Sequence, residues 1–284
     1  MSVWLQPEPV NWWHLVDDAI QEDVGSGDVT GGCIDPELIV DYAVTAHGDG
    51  IVSGVGIAEY LLAPYPSDPE NAQIEILVPD GEAIQRGDRL IVGAIQARRL
   101  VMAERVLLNF LSHLCGIATL TAQYVKRIED SGAKIVDSRK TLPAIRALQK
   151  YAVRCGGGHN HRMGLFDGAF VKDNHIRACG SITLAVERIR SYASHFVKVE
   201  VECQTMDEVE EAVEAGADIV MLDNMDPFMM REAVKRFEGR CAFEAGGGIT
   251  LDTVKGVAQT GVDFISISSL THSAPAMPIN LEVT

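Results

Sequence analysis

Eight basic residues fall between Arg139 and Arg177 (Arg139, Lys140, Arg146, Lys150, Arg154, Arg162, Lys172 and Arg177), against two acids, Asp167 and Asp173. The whole chain carries 24 Lys and Arg against 40 Asp and Glu, so this window reverses the sign of the protein around it. His159, His161 and His175 lie in the same window, with a Gly156-Gly157-Gly158 run. A cationic island in an anionic protein fits a concave site for a multiply charged anion. Arg146, Lys150 and Arg154 recur at i, i+4 and i+8, which an ordinary surface helix explains. Arg139, Lys140, Arg162 and Lys172 fall at expected strand ends or in a glycine-rich loop, and they form the chemical set.

Carboxylates face them at regular intervals. Short apolar runs end in polar residues: Asp137-Ser138-Arg139-Lys140, Lys172-Asp173-Asn174, Glu200-Val201-Glu202 and Asp223-Asn224. A fifth run passes Glu244 into Gly246-Gly247-Gly248, and a sixth carries Ser266, Ser268 and Ser269. In parallel α/β folds the C-terminal strand ends gather the active site. In VKVEVE (197–202), alternation puts the valines on one face and Lys198, Glu200 and Glu202 on the other. If the valines meet helices, the charged face points inward, where charges must be paired or ligand-bound. Glu200 is expected either in a structural ion pair with Lys198 or another interior lysine, or at a ligand. Glu202 and Asp223 are expected at the mouth, where two carboxylates suit Mg²⁺ on a diphosphate or the hydroxyls of a ribose. The glycine run and the inner-face serines resemble a phosphate cradle built from backbone N–H groups. There is no Walker loop or Rossmann fingerprint, and no serine or cysteine has a convincing base beside it in sequence. Phosphoribosyl transfer to an acidic acceptor satisfies this inventory.

The elements that must position these groups follow from pattern. Residues 11–22 read as a helix. YAVTAH, GIVSGVG and QIEILV read as strands, with IAEYLL helical between the last two, so the first third is α+β. Residues 97–130 read as helix, with a break near Gly116 and a linking role between domains. From residue 134, six short apolar runs (134–137, 169–173, 197–202, 218–223, 241–246, 263–269) alternate with helical stretches near 143–153, 181–193, 206–215, 227–236 and 250–259. Strand followed by helix, repeated, implies parallel strands with crossover helices, and the similar polar endings favour a closed barrel over an open sheet. The domains expected are 1–115, an α/β sandwich on which the chain's own tail 275–284 packs back, and 116–274, an α/β barrel.

Composition excludes other classes. An apolar fraction of 47% supports a large core rather than disorder. A net charge of −16 argues against nucleic acid as a general partner. The N-terminus has no basic region followed by an apolar run, and no stretch reaches the ~20 continuous apolar residues of a membrane span, so a cytoplasmic location is expected. The six widely spaced cysteines have no C-x-x-C pair, which fits reduced thiols and no structural zinc.

Taken in order, EDVGSGDVT, MAERVLLNFL, DSRKT, YAVRCGGGHNHRMGLFD, VKDNHI, VEVEC, VMLDN, EAGGGIT and ISISSLTHSAP resemble the quinolinate phosphoribosyltransferase family over about His14 to Leu281. The resemblance implies an N-terminal sandwich domain and a six-stranded C-terminal α/β barrel. It implies transfer of phosphoribose from phosphoribosyl pyrophosphate (PRPP) to quinolinate, releasing CO₂ and pyrophosphate and giving nicotinate mononucleotide for NAD biosynthesis, with Mg²⁺. It also implies a homodimer with shared sites, higher assembly being left open. Arg139, Arg162 and Lys172 would hold the quinolinate carboxylates with His161 beside them, and Lys140 would serve the donor. Glu202 and Asp223 would face the ribose and the metal, so Lys140, Glu202 and Asp223 form the catalytic set. Thr141, Gly246, Gly247, Gly248, Ser268, Ser269 and Leu270 complete the substrate contacts. Arg105 would reach the partner subunit's site, although by pattern alone it is an arginine at the edge of an amphipathic helix.

Four positions depart from the family's usual pattern. Ser138 stands where Thr is common, and Ala144 where Gly is common. Gly246 stands where Ser is usual, and Ser268 where Gly is usual, which implies that a phosphate-binding hydroxyl has moved from one loop to the next. The alternatives are a paralogue of this fold acting on another acid, and nicotinate phosphoribosyltransferase. The combination of Arg139, Arg162 and Lys172 with the Lys-Asp-Asn-His run speaks against the paralogue; nicotinate phosphoribosyltransferase would need no pocket for a second carboxylate, and a non-enzymatic nucleotide-binding or regulatory barrel would require a lost catalytic residue, of which there is none.

Overall fold

The computed structural model describes residues 12–64 and 72–284. The chain divides into two compact units. One comprises residues up to Ala122, Thr141–Gly157 and Leu270–Thr284; the other comprises Gln123–Lys140 and Gly158–Ser269.

The first unit opens with α1 (Trp13–Val24). Asn11, the start of the expected helix, lies outside the described residues. Then come β1 (Ile39–Ala46), β2 (Gly50–Ile51), α2 (Val55–Leu62), β3 (Ala72–Ile76), β4 (Ala83–Ile84) and β5 (Arg89–Gln96). Of the expected strand GIVSGVG only Gly50 and Ile51 pair, and Val55 already belongs to α2. The main sheet is antiparallel in the order β12-β1-β5-β3, with β12 (Ile279–Val283) running Tyr42↔Val283 to Ala46↔Ile279 along β1.

The helix α3 (Ala97–Arg127) is a single run of 31 residues. The expected break at Gly116 is absent. Glycine serves there as a contact surface: a Cβ would collide with the carbonyl oxygen of Pro275, so the chain lies directly against the helix. By length and composition α3 could cross a membrane, with an 18-residue window of mean hydropathy 1.4. It is instead a core helix. Leu100, Leu107, Leu111 and Cys115 are buried against Tyr42, Val44, Ile91 and Ile95 of the sheet.

The helix α4 (Arg146–Cys155) also belongs to this unit. It corrects the surface-helix reading of Lys150, whereas Arg146 is half-buried. Lys150 is fully buried, as are Gln149, Ala152 and Val153. The helix is bonded on several sides: Tyr151 donates to Asp80 at 2.8 Å, Gln149 lies 2.8 Å from His113, and Ser53 approaches Cys155 at 3.4 Å.

The second unit holds β6 (Lys134–Val136), β7 (Ala169–Val171), α5 (Asp173–Cys179), α6 (Ile182–Tyr192), β8 (Val199–Cys203), α7 (Met206–Glu214), β9 (Ile219–Asp223), α8 (Pro227–Arg236), β10 (Ala242–Gly246), α9 (Val254–Ala258) and β11 (Phe264–Ser266). The short α5, and α10 (Ser269–His272) after β11, were not expected from pattern. The sheet is wholly parallel, in the order β6-β11-β10-β9-β8-β7. This is the order of a sequential barrel: each strand lies beside its successor and the last beside the first. Only the β6–β7 ladder is missing among the described residues. The segment after α4 crosses that seam, pairing His159 beside Val136 before entering β7. The sheet curls enough for residues at all six strands (Val136, Ala169, Glu200, Ile219, Glu244, Phe264) to line one cavity of about 210 Å³. Local signals fix the crossover helices. Thr205 and Glu208 cap α7 reciprocally, and Asp226 caps α8 ahead of Pro227.

Candidate active site

Alternation along β8 behaves as the sequence requires. Val199 and Val201 are fully buried, while Glu200 and Glu202 turn to the barrel interior in successive steps. At the mouth, Glu202 Oε2 lies 2.8 Å from Lys172 Nζ, with Lys172 ending β7. The Lys172 ammonium also sits 4.2 Å from the Phe170 ring centroid, and the Arg162 guanidinium carbon lies 5.5 Å from the same ring. Phe170 is therefore a platform for two cations, which the sequence reading missed; its place one residue before the strand end was the available signal. The backbone turn into α5 is fixed by His175, whose Nδ1 accepts the Lys172 N–H at 3.0 Å.

Asp137 organises the opposite wall. It is fully buried; its Oδ1 accepts the His161 N–H at 2.9 Å and its Oδ2 accepts from the Asn160 side chain at 2.6 Å. This anchors the loop carrying Arg162, whose side chain donates to the Gly168 carbonyl at 2.9 Å. Arg139 and Arg162 each bury an Nε with no hydrogen-bond partner among the described residues. Burial first, and the neighbouring Arg139 second, lower the basicity of Arg162. Two adjacent guanidinium groups with unused donors are a receptor for an anion with more than one oxygen pair. Lys140 is exposed beside them, its N–H donating to Ser138 Oγ at 3.1 Å.

Glu200 corrects its expected lysine pairing. Its partner is His161, with Nε2 to Oε2 at 2.9 Å. Glu244 Oε1 lies 3.8 Å from the same Nε2. The pairing with a loop residue rather than with Lys198 follows from the seam, which delivers His161 into the interior.

Asp223 ends β9 and pairs in register with Gly246 of β10. It accepts from Asn224 at 3.0 Å and from Gln204 at 3.4 Å. Asn224 in turn shapes the glycine loop: its N–H donates to the Gly246 carbonyl at 2.9 Å. Gly247 has φ +90° and lies against the Asn224 side chain, so both backbone geometry and space demand glycine there. At Gly246 a Cβ would approach Met221 Sδ and Ser266 Oγ at 3.2 Å each, so a side chain there requires those neighbours to give by a few tenths of an ångström. Ser268 and Ser269 follow β11 and are half-buried.

The structure thus brings Arg139, Lys140, His161, Arg162, Lys172, Glu202, Asp223, Gly246, Gly247, Gly248, Ser268 and Ser269 into one unit. Arg105, Thr141 and Leu270 belong to the other. Arg105 is exposed on α3, Thr141 accepts from Arg146 Nε at 3.0 Å, and Leu270 is fully buried.

Known proteins resemble the chain over most of its length. The quinolinate phosphoribosyl transferase N-terminal domain matches residues 28–115 and its C-terminal domain matches 117–282. The chain is 40% identical over 270 residues to a probable nicotinate-nucleotide pyrophosphorylase [carboxylating] of Bacillus subtilis, covering 95% of this chain and 92% of that protein. A mitochondrial quinolinate phosphoribosyltransferase [decarboxylating] of Nicotiana glauca is also 40% identical, covering 93% of this chain and 80% of that one. The solved nicotinate-nucleotide pyrophosphorylase of Ehrlichia chaffeensis superposes with a TM-score of 0.92 at 35% identity, covering 97% of this chain and 99% of that one. With its two domains matched end to end, and a barrel whose strand ends carry paired cations and carboxylates, the chain belongs to the quinolinate phosphoribosyltransferase family.

Proposed function

We infer that this protein transfers the phosphoribosyl group of PRPP to quinolinate, with loss of CO₂, giving nicotinate mononucleotide and pyrophosphate for NAD biosynthesis. The observation that carries the reading is the pair of adjacent guanidinium groups, Arg139 and Arg162, with buried donors that no protein acceptor uses. Quinolinate offers two vicinal carboxylates to such a pair. Lys172, now held by Glu202, supplies a third cation within reach of the same strand ends. Nicotinate would leave part of this charge unpaired, which disfavours the monoacid.

The chemistry follows from charge. Ribosyl transfer passes through an oxocarbenium-like state, so Glu202 and Asp223 stabilise positive charge as it develops on the sugar. Lys140 meets the anionic donor. Alkylation makes the pyridine nitrogen cationic, and the adjacent C2 carboxylate leaves as CO₂ because the electron pair left on carbon is stabilised by that nitrogen. A proton then takes the carboxylate's place. The positively charged wall fixes the dianion so that the ring nitrogen points at the sugar. Glu202 and Asp223 offer only hard carboxylate oxygens, partly exposed at adjacent strand ends, and this donor set fits Mg²⁺. When bound, Mg²⁺ neutralises charge on the departing pyrophosphate.

Gly246, Gly247 and Gly248 are read as the backbone cradle of the 5′-phosphate, with Ser268 and Ser269 closing it. The hydroxyl missing at Gly246 is supplied by Ser268. Replacing Ser268 by Gly is expected to raise the KM for PRPP by about 3- to 10-fold, the worth of one hydrogen bond; no change would remove Ser268 from the cradle.

The working form is read as a cytoplasmic homodimer in which Arg105 enters the partner subunit's site. Mixing Arg105→Ala protein with Arg139→Ala protein under exchange conditions should restore activity through heterodimers with one intact site, and no recovery would count against sharing. The substrate assignment has a direct assay. Purified protein, PRPP and Mg²⁺ are supplied with carboxyl-labelled quinolinate or with nicotinate. Labelled CO₂ from quinolinate is the expected result, and turnover of nicotinate alone would overturn it.

A further inference from the structure

Beneath the mouth layer lies a second pair of carboxylates with no place in the reaction just described. Glu200 and Glu244 are 4% and 3% exposed, and each has an Oε1 with no hydrogen-bond partner among the described residues. Both face the interior cavity of about 210 Å³. Burying two such groups as anions side by side is costly, so a compensating charge must be present.

A metal ion is one candidate. The donor atoms of His161, Glu200 and Glu244 lie within 4.8 Å of one another. The hydrogen bonds of His161 argue against it. Its Nδ1 accepts the Arg162 backbone N–H at 2.7 Å, so that nitrogen carries the lone pair. The ring proton is then on Nε2, which donates to Glu200 at 2.9 Å and has no lone pair left for an ion.

We propose that Glu244 stands in the resting enzyme as a neutral carboxylic acid, and that this un-ionised state is what allows an anionic dicarboxylate to be held in the same barrel. The inference deepens the reading that Arg139, Arg162 and Lys172 hold quinolinate. With its proton, the floor formed by Glu200 and Glu244 carries one negative charge. Without it, the floor carries two, and it competes with the substrate for the field of Arg162, which lines the same cavity. Glu244 is a positioning residue for the substrate's charge and makes no contact with the reacting atoms.

The groups around Glu244 support this. From β8 comes Glu200, and just before it Lys198; from the seam loop His161, Arg162 and Asp167; just after β6, Asp137. β11 contributes only the Ser266 hydroxyl and Phe264, and β9 only Ile219 and Met221. Burial first, and Glu200 second, raise the Glu244 carboxyl to about 8; His161 and Ser266 oppose them, and Asp137 adds to the rise.

The test uses the full-length enzyme. The KM for quinolinate is followed from neutral to alkaline pH in the wild type and in Glu244→Gln, whose amide mimics the neutral acid. In the wild type the KM should rise about tenfold as one buried charge appears near the dianion. In Glu244→Gln the rise should be less than about twofold, with the KM for PRPP as the internal control. An equal rise in both proteins would overturn the proposal. Infrared difference spectroscopy supplies a second readout that requires no folded variant. The wild type should show the carbonyl stretch of an un-ionised carboxylic acid at neutral pH, fading as pH rises; its absence at neutral pH would sink the idea. Arg162→Gln, measured alongside, separates this from the reading it rests on. Unchanged quinolinate affinity in that variant would dismiss the cationic pocket, whereas the infrared band answers for Glu244 alone.

Discussion

Around Leu107 the first unit packs only apolar surface: Tyr42, Val44, Ile91, Ile95, Leu100, Leu111 and Cys115 are all nearly or fully excluded from solvent. Around Glu244 the barrel lines a cavity with three carboxylates, an imidazole, a guanidinium and an ammonium. One interior is held together by the area it removes from water. The other gives up that stabilisation to keep an array of charges in fixed places, which is what a site for a dianion and a developing cation needs. Substitutions in the first should therefore read out in stability, and substitutions in the second in catalysis and pH dependence.

The largest expected effect is catalytic. Lys172→Ala removes a cation from the substrate wall and leaves Glu202 without its 2.8 Å partner. Truncating one member of such a pair is worth roughly 2–5 kcal/mol, so kcat/KM for quinolinate should fall by about 10²–10³. The melting temperature should hardly move, because the side chain is 42% exposed. A melting temperature that collapsed with the activity would break the division between the two interiors. The converse substitution is Leu107→Ala. Leu107 is fully buried in the first unit, and its truncation should cost about 2–5 kcal/mol of stability. Specific activity of the remaining folded protein should stay close to wild type, measured by denaturant unfolding and by assay on the same samples.

Glu244→Gln sharpens the contrast through pH. The folded-state value, about 8, lies above the ordinary 4.5. Below about 4.5 both folded and unfolded chains hold the proton, and this group's contribution is complete. As pH rises the unfolded chain ionises first, and the contribution is lost progressively until the folded form also ionises near 8. Thermal unfolding of the wild type should therefore lose stability across that window relative to Glu244→Gln, by on the order of a few kcal/mol. Parallel pH profiles for the two proteins would remove the buried acid from the stability account.

Much of the barrel was readable from the chain because strand alternation has period two. Val199 and Val201 outward, with Glu200 and Glu202 inward, follow from that alone. What escaped was set by tertiary partners. Lys150 reads as a surface residue from its spacing to Arg146 and Arg154, but α4 is enclosed on several sides, and no local pattern records that. Gly116 reads as a helix breaker, yet it is where Pro275 rests on the helix. The partner of Glu200 could not be found on a neighbouring strand because it arrives from the loop that crosses the seam. The family resemblance named His161 as a substrate neighbour. Its two nitrogens meet the Arg162 N–H and Glu200, partners that no spacing in the chain indicates.

The smallest effect is local and bears on how the first unit tolerates strain. Ala144 has φ +66°, one of two non-glycine residues with positive φ among those described, and it is exposed. The left-handed region costs an L-residue with a Cβ roughly 1–2 kcal/mol. This is the position where the family commonly has glycine, and the backbone geometry supplies the reason. Ala144→Gly relieves the strain but gives the unfolded chain more freedom, which returns about 0.5–1 kcal/mol. The net gain should be small and positive, up to about 1 kcal/mol, seen as a rise of about 1–3 °C in melting temperature. Ala144→Val provides the opposite sign, because a β-branched side chain is less tolerant of positive φ than alanine. If glycine destabilised and valine did not, the left-handed backbone at 144 would have to be stabilised by something other than the absence of a side chain.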